Sequence, residues 1–272
     1  MSVGIWTFAF EDKEIGAVRD AAAEVDSLGF DILWLGEAFG REAYTHAAVL
    51  LAATRNIRVA TGIANISRRD PLAAAGAEQL LDQAYPGRFL HGLGGQRVGA
   101  NPVIAMREYL AAMDKSLPGP RPQRLLAALG PRMLELSRDS ADGAHPYFVP
   151  VEHTLRARKI LGPQAFLAVE QAVVLDTHRG YELAREHVAA YAKNAPHHQV
   201  NLRRLGFTED DLSTVSDRLV DAIVAYRGEQ SIAGRVQAHL DAGADHVCLQ
   251  VLTGDDRIPL AEWRTLATLL PR

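Results

Sequence analysis

Glu37, Glu170 and His145 are the first residues to weigh for chemistry, because each follows or sits in a short β-rich run: ILWL, FLAVEQAVVL and the phrase AHPYF. Two carboxylates could act as acid and nucleophile in glycoside hydrolysis. Acidic residues at such positions also arise by chance. A histidine in His-Pro-Tyr is either a general acid or base or a hydrogen-bonded structural residue. The run LGPRM, Leu129 to Met133, puts Pro131 at the first position of a helix reading PRMLELSRD. Backbone N–H groups at a helix start bind phosphate or other anions, although an ordinary βα turn has the same composition. RVATGIANISRRDP carries Gly62 inside a strand pattern, which marks a bulge or a close approach by a ligand or another backbone. The chain contains no His-Glu-x-x-His, P-loop or Gly-x-Ser-x-Gly motif, and no metal site is expected. Small residues and backbone groups suit a flat cofactor lying against the main chain.

The elements that must position these residues follow a repeated phrase: a helix-period segment, a glycine stop, then a short apolar strand. VRDAAAEVDSLGFDILWLGE and VQAHLDAGADHVCLQV are the clearest copies, with Gly29 and Gly243 as stops. Candidate strands lie near Val3, Ile32, Ile57, Phe89, Leu125, Ala144, Leu167 and Val247. Eight strands alternating with helices predict an α/β fold of the (β/α)8 TIM barrel type rather than an open doubly wound sheet. A Rossmann fingerprint is absent, since GLGGQRVG has the wrong spacing. Chemistry in a barrel gathers at the C-terminal strand ends. These are Trp6 and Phe8, Glu37, Gly62 to Asn65, Gly92 to Gln96, Ala128 to Met133, Ala144 to Phe148, and Glu170. A helical excursion over about 177–243 separates the seventh strand from the eighth, as a lid, an oligomer contact or extra packing at the rim. It reads as HRGYELAREHVAAYAKN, EDDLSTVSDRLVDAIVAYRG and QSIAGRVQAHLDAG, the first two joined by a loop APHHQVNLRRLGF.

The 272 residues, 48% hydrophobic and 23% charged, fit one barrel domain spanning 1–272. A net charge of −4 with no basic run gives no footprint for nucleic acid or an anionic membrane, so the expected partner is a small molecule. One cysteine, Cys248 in DHVCLQVL, reads as a buried inert thiol. No leader or membrane-spanning run is seen, and a cytoplasmic protein is expected.

Together TGIANISRRDP, PGRFLHGLGG, AALGPRMLEL, DGAHPYFVPVEHTLRAR, RRLGF and AGADHVCLQVL resemble the luciferase-like monooxygenase superfamily, over about Val3 to Leu252. More narrowly they are similar to its coenzyme F420-dependent branch. The resemblance implies a TIM barrel, a homodimer and hydride transfer between F420 and a small organic substrate. It implies a bulge with a cis peptide between Gly62 and Ile63 that backs the cofactor ring. Gly62, Ile63, Ala64 and Asn65 would then touch the ring, with Trp6 and Gly94 beside it. Leu129, Gly130, Pro131, Arg132 and Met133 would form the phosphate loop, with His145, Pro146 and Tyr147 as neighbours. Glu37 is the first choice for the acid or base and His145 the second. Arg41 and Arg68 could attract an anionic substrate or the acidic tail of the cofactor, or be solvated loop charges. The chain departs from the branch where GGQRVGANP replaces a longer loop and a Ser-His-Ala-Pro run, which removes a substrate-side histidine. NAPHHQVN also differs from the usual Pro-Asn-Tyr wording, leaving His197 and His198 as lid residues or exposed ones. Two other readings stay open: a monooxygenase using reduced FMN and oxygen, and a non-catalytic flavin-binding relative.

Overall fold

Short apolar strands that alternate with glycine-stopped helices close into a cylinder. A computed structural model describes residues 2–38, 40–95, 99–117 and 119–269. Its strands are β1 (Ser2–Thr7), β2 (Ile32–Leu35), β3 (Arg58–Thr61), β4 (Ala64–Asn65), β5 (Phe89–Gly94), β6 (Arg124–Leu126), β7 (Gly143–Ala144), β8 (Phe166–Val173), β9 (Val224–Ala225) and β10 (His246–Val251). All but β4 and β9 form a closed parallel ring in which β10 pairs with both β1 and β8. The fold is a (β/α)8 barrel, and each of the eight expected strand positions holds a strand, the third starting one residue after Ile57. The helices are α1 (Ile15–Ser27), α2 (Ala43–Ala53), α3 (Pro71–Ala84), α4 (Pro102–Ser116), α5 (Pro131–Ser140), α6 (Val151–Leu161), α7 (Gly180–Asn194), α8 (Pro196–Arg204), α9 (Glu209–Thr214), α10 (Asp217–Ile223), α11 (Glu229–Asp241) and α12 (Leu260–Ala267).

Local sequence explains the boundaries. Asp70 and Asn101 cap α3 and α4 with their side chains, while Gly130 stands before α5 with none to offer, and each is followed by proline at the first helical position. Gly29 and Gly243, with φ of 86° and 101°, turn the chain out of α1 and α11 into the next strand. Two strands were not foreseen. β4 continues the line of β3 after a bulge and pairs with β5, and β9 extends the sheet beside β8.

The barrel interior is aromatic. Trp6, Trp34, Ile32, Leu90, Leu125 and Cys248 pack on one another there, and Trp34 is fully buried. Its indole N–H donates to His246 Nε2 at 3.1 Å, and its ring stacks on His145 with centroids 4.1 Å apart. Neighbouring strand backbones come close enough to exclude a side chain at two positions. A Cβ on Gly4 would lie 2.3 Å from the Ile32 carbonyl oxygen, and one on Gly92 would lie 1.9 Å from that of Thr61. Cys248 is fully buried with its thiol 3.4 Å from the Val169 carbonyl, and burial pushes its pKa well up, which makes it the inert thiol expected.

The excursion differs from expectation in two places. Residues 195–207 are not a loop, because Pro196 starts α8 and Leu202 and His198 bury beneath it. The run 209–228 is not one helix. Thr208 and Asp211 form a capping box for α9, Val215 turns left-handed with φ 54°, and Ser216 caps α10. Leu183, Val188, Leu202 and Leu219 from α7, α8 and α10 bury with Phe148 in a second apolar cluster, so the excursion roofs the loop after β7. No helix among the described residues is long and apolar enough to cross a membrane.

A polar layer crosses the barrel wall between α3, β5 and β6. Glu78, 3% exposed, accepts from Arg124 Nε and Nη2 at 2.7 and 2.8 Å and bonds His91 Nδ1. His91 Nε2 meets the Tyr44 hydroxyl at 2.7 Å. Burial alone would raise the Glu78 pKa, but its bonds to His91 and Arg124 outweigh that and hold it below the usual carboxylate value. Glu78→Ala leaves the buried Arg124 cation short of its main partner. It should cost about 3–5 kcal/mol in urea unfolding, whereas Glu78→Met combined with Arg124→Met should recover much of that loss.

Candidate functional site

The bulge after β3 lies at the C-terminal mouth of the barrel, where the Gly62–Ile63 peptide bond is cis. Gly62 has no side chain because two rings approach it. A Cβ there would lie 2.6 Å from Trp6 Nε1 and 3.2 Å from His145 Nε2. Both nitrogens are buried and neither has a hydrogen-bond partner. Ile63 packs into the space left by Gly94, whose Cβ would lie 2.6 Å from Ile63 and 2.8 Å from Ala127. Gly62, Ile63 and Asn65 are half-buried, while Ala64 and Gly94 are buried beneath them.

His145 sits on this floor with a fixed tautomer. Its Nδ1 donates to the Ala168 carbonyl at 3.0 Å, which leaves a lone pair on Nε2 facing Gly62. Burial lowers its pKa to about 4, so the ring is neutral at physiological pH. Pro146 is buried behind it, and Tyr147 packs 4.9 Å from Trp6. The Tyr147 hydroxyl donates to Gln250 Oε1 at 2.8 Å and shares a 2.8 Å hydrogen bond with Tyr191 of α7. Burial pushes the Tyr147 pKa well up, and that of Tyr191 to about 12. Phe148, Tyr191 and His198 complete an aromatic roof, with Phe148 and Tyr191 stacked at 4.7 Å. His198 is thus buried in this roof, whereas His197 is exposed.

Glu170 is not at a strand end. It lies within β8, 1% exposed and pointing into the barrel beside the Tyr147–Phe148 turn. Its Oε2 accepts the Phe148 N–H at 2.9 Å and its Oε1 has no partner. An unpaired carboxylate in such a place is costly, and burial raises its pKa to about 8, which keeps it a neutral acid.

Glu37 and Glu170 share no hydrogen-bond partner. The Glu37 Oε2 accepts the Asn65 N–H at 2.7 Å and an Arg69 N–H at 3.0 Å, while Oε1 takes Arg69 again and the Ala43 N–H at 3.3 Å. With both oxygens engaged and its side chain 1% exposed, Glu37 braces the bulge from behind. The geometry thus moves it from the acid or base expected to a positioning residue. Arg69 also lies over Tyr44, 4.8 Å from the ring centroid, which joins the brace to the wall network of Glu78 and His91. Arg41 spends its guanidinium on the carbonyls of Glu11 and Lys13, so it is a structural clamp rather than an anion trap. Arg68 is exposed, bonds the Ala38 carbonyl at 2.9 Å, and lines a cleft of about 610 Å³ with Glu37, Tyr44 and Arg69.

The run Leu129 to Met133, expected as a phosphate loop, passes from the turn after β6 into the start of α5. Leu129 and Gly130 are half-buried, Pro131 and Arg132 exposed, Met133 half-buried, and α5 begins at Pro131 with no side chain capping it. Arg204 at the end of α8 comes within 3.6 Å of the position a Gly130 Cβ would take. It adds a cation over a helix start that already favours anions. Among the strand-end positions, Gln96 lies outside the described residues. No group of three or more His, Cys, Asp or Glu side chains converges as a metal site among the described residues.

A family model described as luciferase-like monooxygenase matches residues 1–246. The chain belongs to that family. A Mycobacterium tuberculosis protein named as a coenzyme F420-dependent oxidoreductase is 30% identical over 150 residues. The match spans 51% of this chain and 42% of that protein's length. Among solved structures, an F420-dependent secondary alcohol dehydrogenase in complex with an F420-acetone adduct superimposes with a TM-score of 0.77 at 15% identity, covering 99% of this chain and 98% of its own. The coenzyme F420-dependent tetrahydromethanopterin reductase of Methanopyrus kandleri gives 0.77 at 15% identity, covering 98% and 96%. The FMN-bound oxygenating constituent of 3,6-diketocamphane monooxygenase from Pseudomonas putida gives 0.72 at 15%, covering 99% and 96%. At these identities the structures share the fold.

In this luciferase-like chain, sequence reading missed Arg69, Arg204 and Tyr191. Their partners are brought near by folding across 32 to 74 residues, and no local spacing signals such pairs. The neutral Glu170 gives a pH signature. Its folded pKa of about 8 lies above the ordinary value of 4.5, so between these limits the folded state holds a proton that the unfolded chain has released. Stability therefore falls as pH rises across that window. Glu170→Gln should flatten the fall, gaining about 2–4 kcal/mol on the wild type at pH 8 relative to pH 5, as read from urea unfolding at both pH values.

Proposed function

We propose that this chain is an oxidoreductase that moves a hydride between the deazaflavin coenzyme F420 and a small organic substrate. The observation that carries the reading is the pair of buried, unpartnered ring nitrogens, Trp6 Nε1 and His145 Nε2, that face Gly62 on the bulge at the barrel mouth. Family membership and the 30% identical relative that bears this cofactor in its name support it.

The residues fit such a group. Gly62, Ile63 and Asn65 offer a half-buried face poor in side chains, against which a flat ring can lie. The two ring nitrogens there have one donor and one acceptor to offer. Leu129 to Met133, with the uncapped start of α5 and the Arg204 guanidinium, would hold the phosphate. When bound, F420 supplies a ring carbon that gives or accepts a hydride.

The remaining work falls to the chain. A hydride that leaves a carbon bearing a hydroxyl or amine must be matched by a proton from that group. His145 Nε2, neutral and fixed in tautomer by Ala168, accepts that hydrogen. Tyr147, held by Gln250 and Tyr191, orients the substrate edge, and the roof of Phe148, Tyr191 and His198 excludes water. Glu37 keeps the bulge in place through the Asn65 N–H.

A reduced-FMN monooxygenase would meet the same bulge, so binding is the test. Titrating the protein with oxidised F420 and with FMN, followed by quenching of cofactor fluorescence, should show tighter binding of F420. Gly62→Ala should weaken it about tenfold or more, because the new Cβ displaces Trp6 or His145. Tighter binding of FMN would replace this reading with the monooxygenase, and binding of neither would remove the enzyme assignment.

A further inference from the structure

A second cleft opens at the mouth, between the ends of β1 and β10 and helix α7, with a volume of about 470 Å³. That is the size of a small-molecule site. Phe8, Leu183 and Leu252 give it an apolar floor. Phe8 packs edge-on against Trp6, with centroids 4.4 Å apart, and Trp6 Nε1 faces Gly62, so two aromatic rings link this cleft to the bulge.

Its rim is acidic, carrying Glu11, Asp12, Glu186, Asp255 and Asp256 against Arg257. Among the described residues four cations stand at the rim, and each is already engaged: Arg41 on the Glu11 and Lys13 carbonyls, Arg179 on Glu182, and two more shared between carboxylates. Lys13 serves both Asp12 and Asp256, at 3.0 and 3.1 Å, and Arg257 serves both Asp255 and Glu262. Glu11 and Glu186 have no ion-pair partner among the described residues. Two polar groups in the lining also lack partners there. Glu11 Oε1 is buried with no hydrogen-bond donor, its Oε2 having accepted the Arg41 N–H at 3.2 Å. Gln250, 8% exposed, gives its amide oxygen to Tyr147, and its amide nitrogen meets no acceptor among the described residues.

We propose that this cleft receives the cationic end of the substrate, whose reacting carbon lies beyond Trp6 at the bulge, and that the substrate is an organic cation: an amine on an apolar body, with an oxygen that can accept from Gln250. The substrate role rests on the hydride-transfer reading above; the preference for a cation rests on the cleft alone. Unpaired carboxylates on a low-dielectric wall concentrate cations and repel carboxylate ligands. The carboxylates do not converge on a point as metal ligands do, which suits a diffuse organic charge.

Calorimetric titration at low ionic strength with three matched probes tests this: tyramine, neutral 4-ethylphenol and anionic 3-(4-hydroxyphenyl)propionate. Tyramine should bind tightest and the anion weakest. Glu11→Gln and the exposed Glu186→Gln should each weaken tyramine about fivefold and leave 4-ethylphenol unchanged. Equal binding of amine and anion, failure of tyramine to saturate at millimolar concentration, or indifference to both substitutions would overturn the proposal. A parallel F420 titration separates the two claims. Tyramine binding that depends on Glu11, in a protein that does not bind F420, would overturn the hydride-transfer reading and the substrate role while the cation site stood.

Discussion

The constraint on which this structure turns is space inside the barrel. Eight strands enclose two indoles and two imidazoles, with Trp34 held between His246 and His145 and Trp6 above them at the mouth. Close packing of that kind leaves neighbouring positions no choice of side chain. Gly4 and Gly92 are held to glycine by the Ile32 and Thr61 carbonyls of the neighbouring strands, and Gly62 is backbone alone at the bulge because Trp6 and His145 already fill its side-chain volume. The bare floor offered to a cofactor is thus a by-product of how the interior is filled. The same packing strips the His145 and Glu170 side chains of water and sets their protonation, neutral in both cases.

A second constraint works from outside inward. Asp114 bonds Arg124 at 2.5 Å, Arg124 grips Glu78, and the contacts pass through His91, Tyr44 and Arg69 to Glu37 and the Asn65 amide. These groups lie on β2, β5, β6, α2, α3 and α4 or the turns beside them, so one continuous polar layer fixes the height of the bulge relative to the barrel wall. A buried network of this kind is rigid only while every member is satisfied.

How much of this was legible in the sequence follows from the range of each signal. Glycine stops and apolar runs are local, and they located all eight barrel strands. The bulge was legible through Gly62, whose oddity inside a strand pattern is also local. Glu37 and Glu170 were visible as candidates but not in their roles. The partner of Glu37 lies 32 residues away in sequence, and the placement of Glu170 inside β8 depends on strand length, which local composition leaves open. Residues 195–207 read as a loop because α8 is polar in sequence, and its helix is held by burying His198, Asn201 and Leu202 under α7. Arg204 had no local signal at all, since its proximity to Gly130 exists only after the roof closes.

The lone thiol gives the molecule a built-in clock. Cys248 is fully buried between the strands on either side of it, in register with Gly4 and Glu170. Its sulfur can be alkylated only when the barrel interior opens to the reagent. The rate of modification therefore reports opening of the barrel interior, without any label.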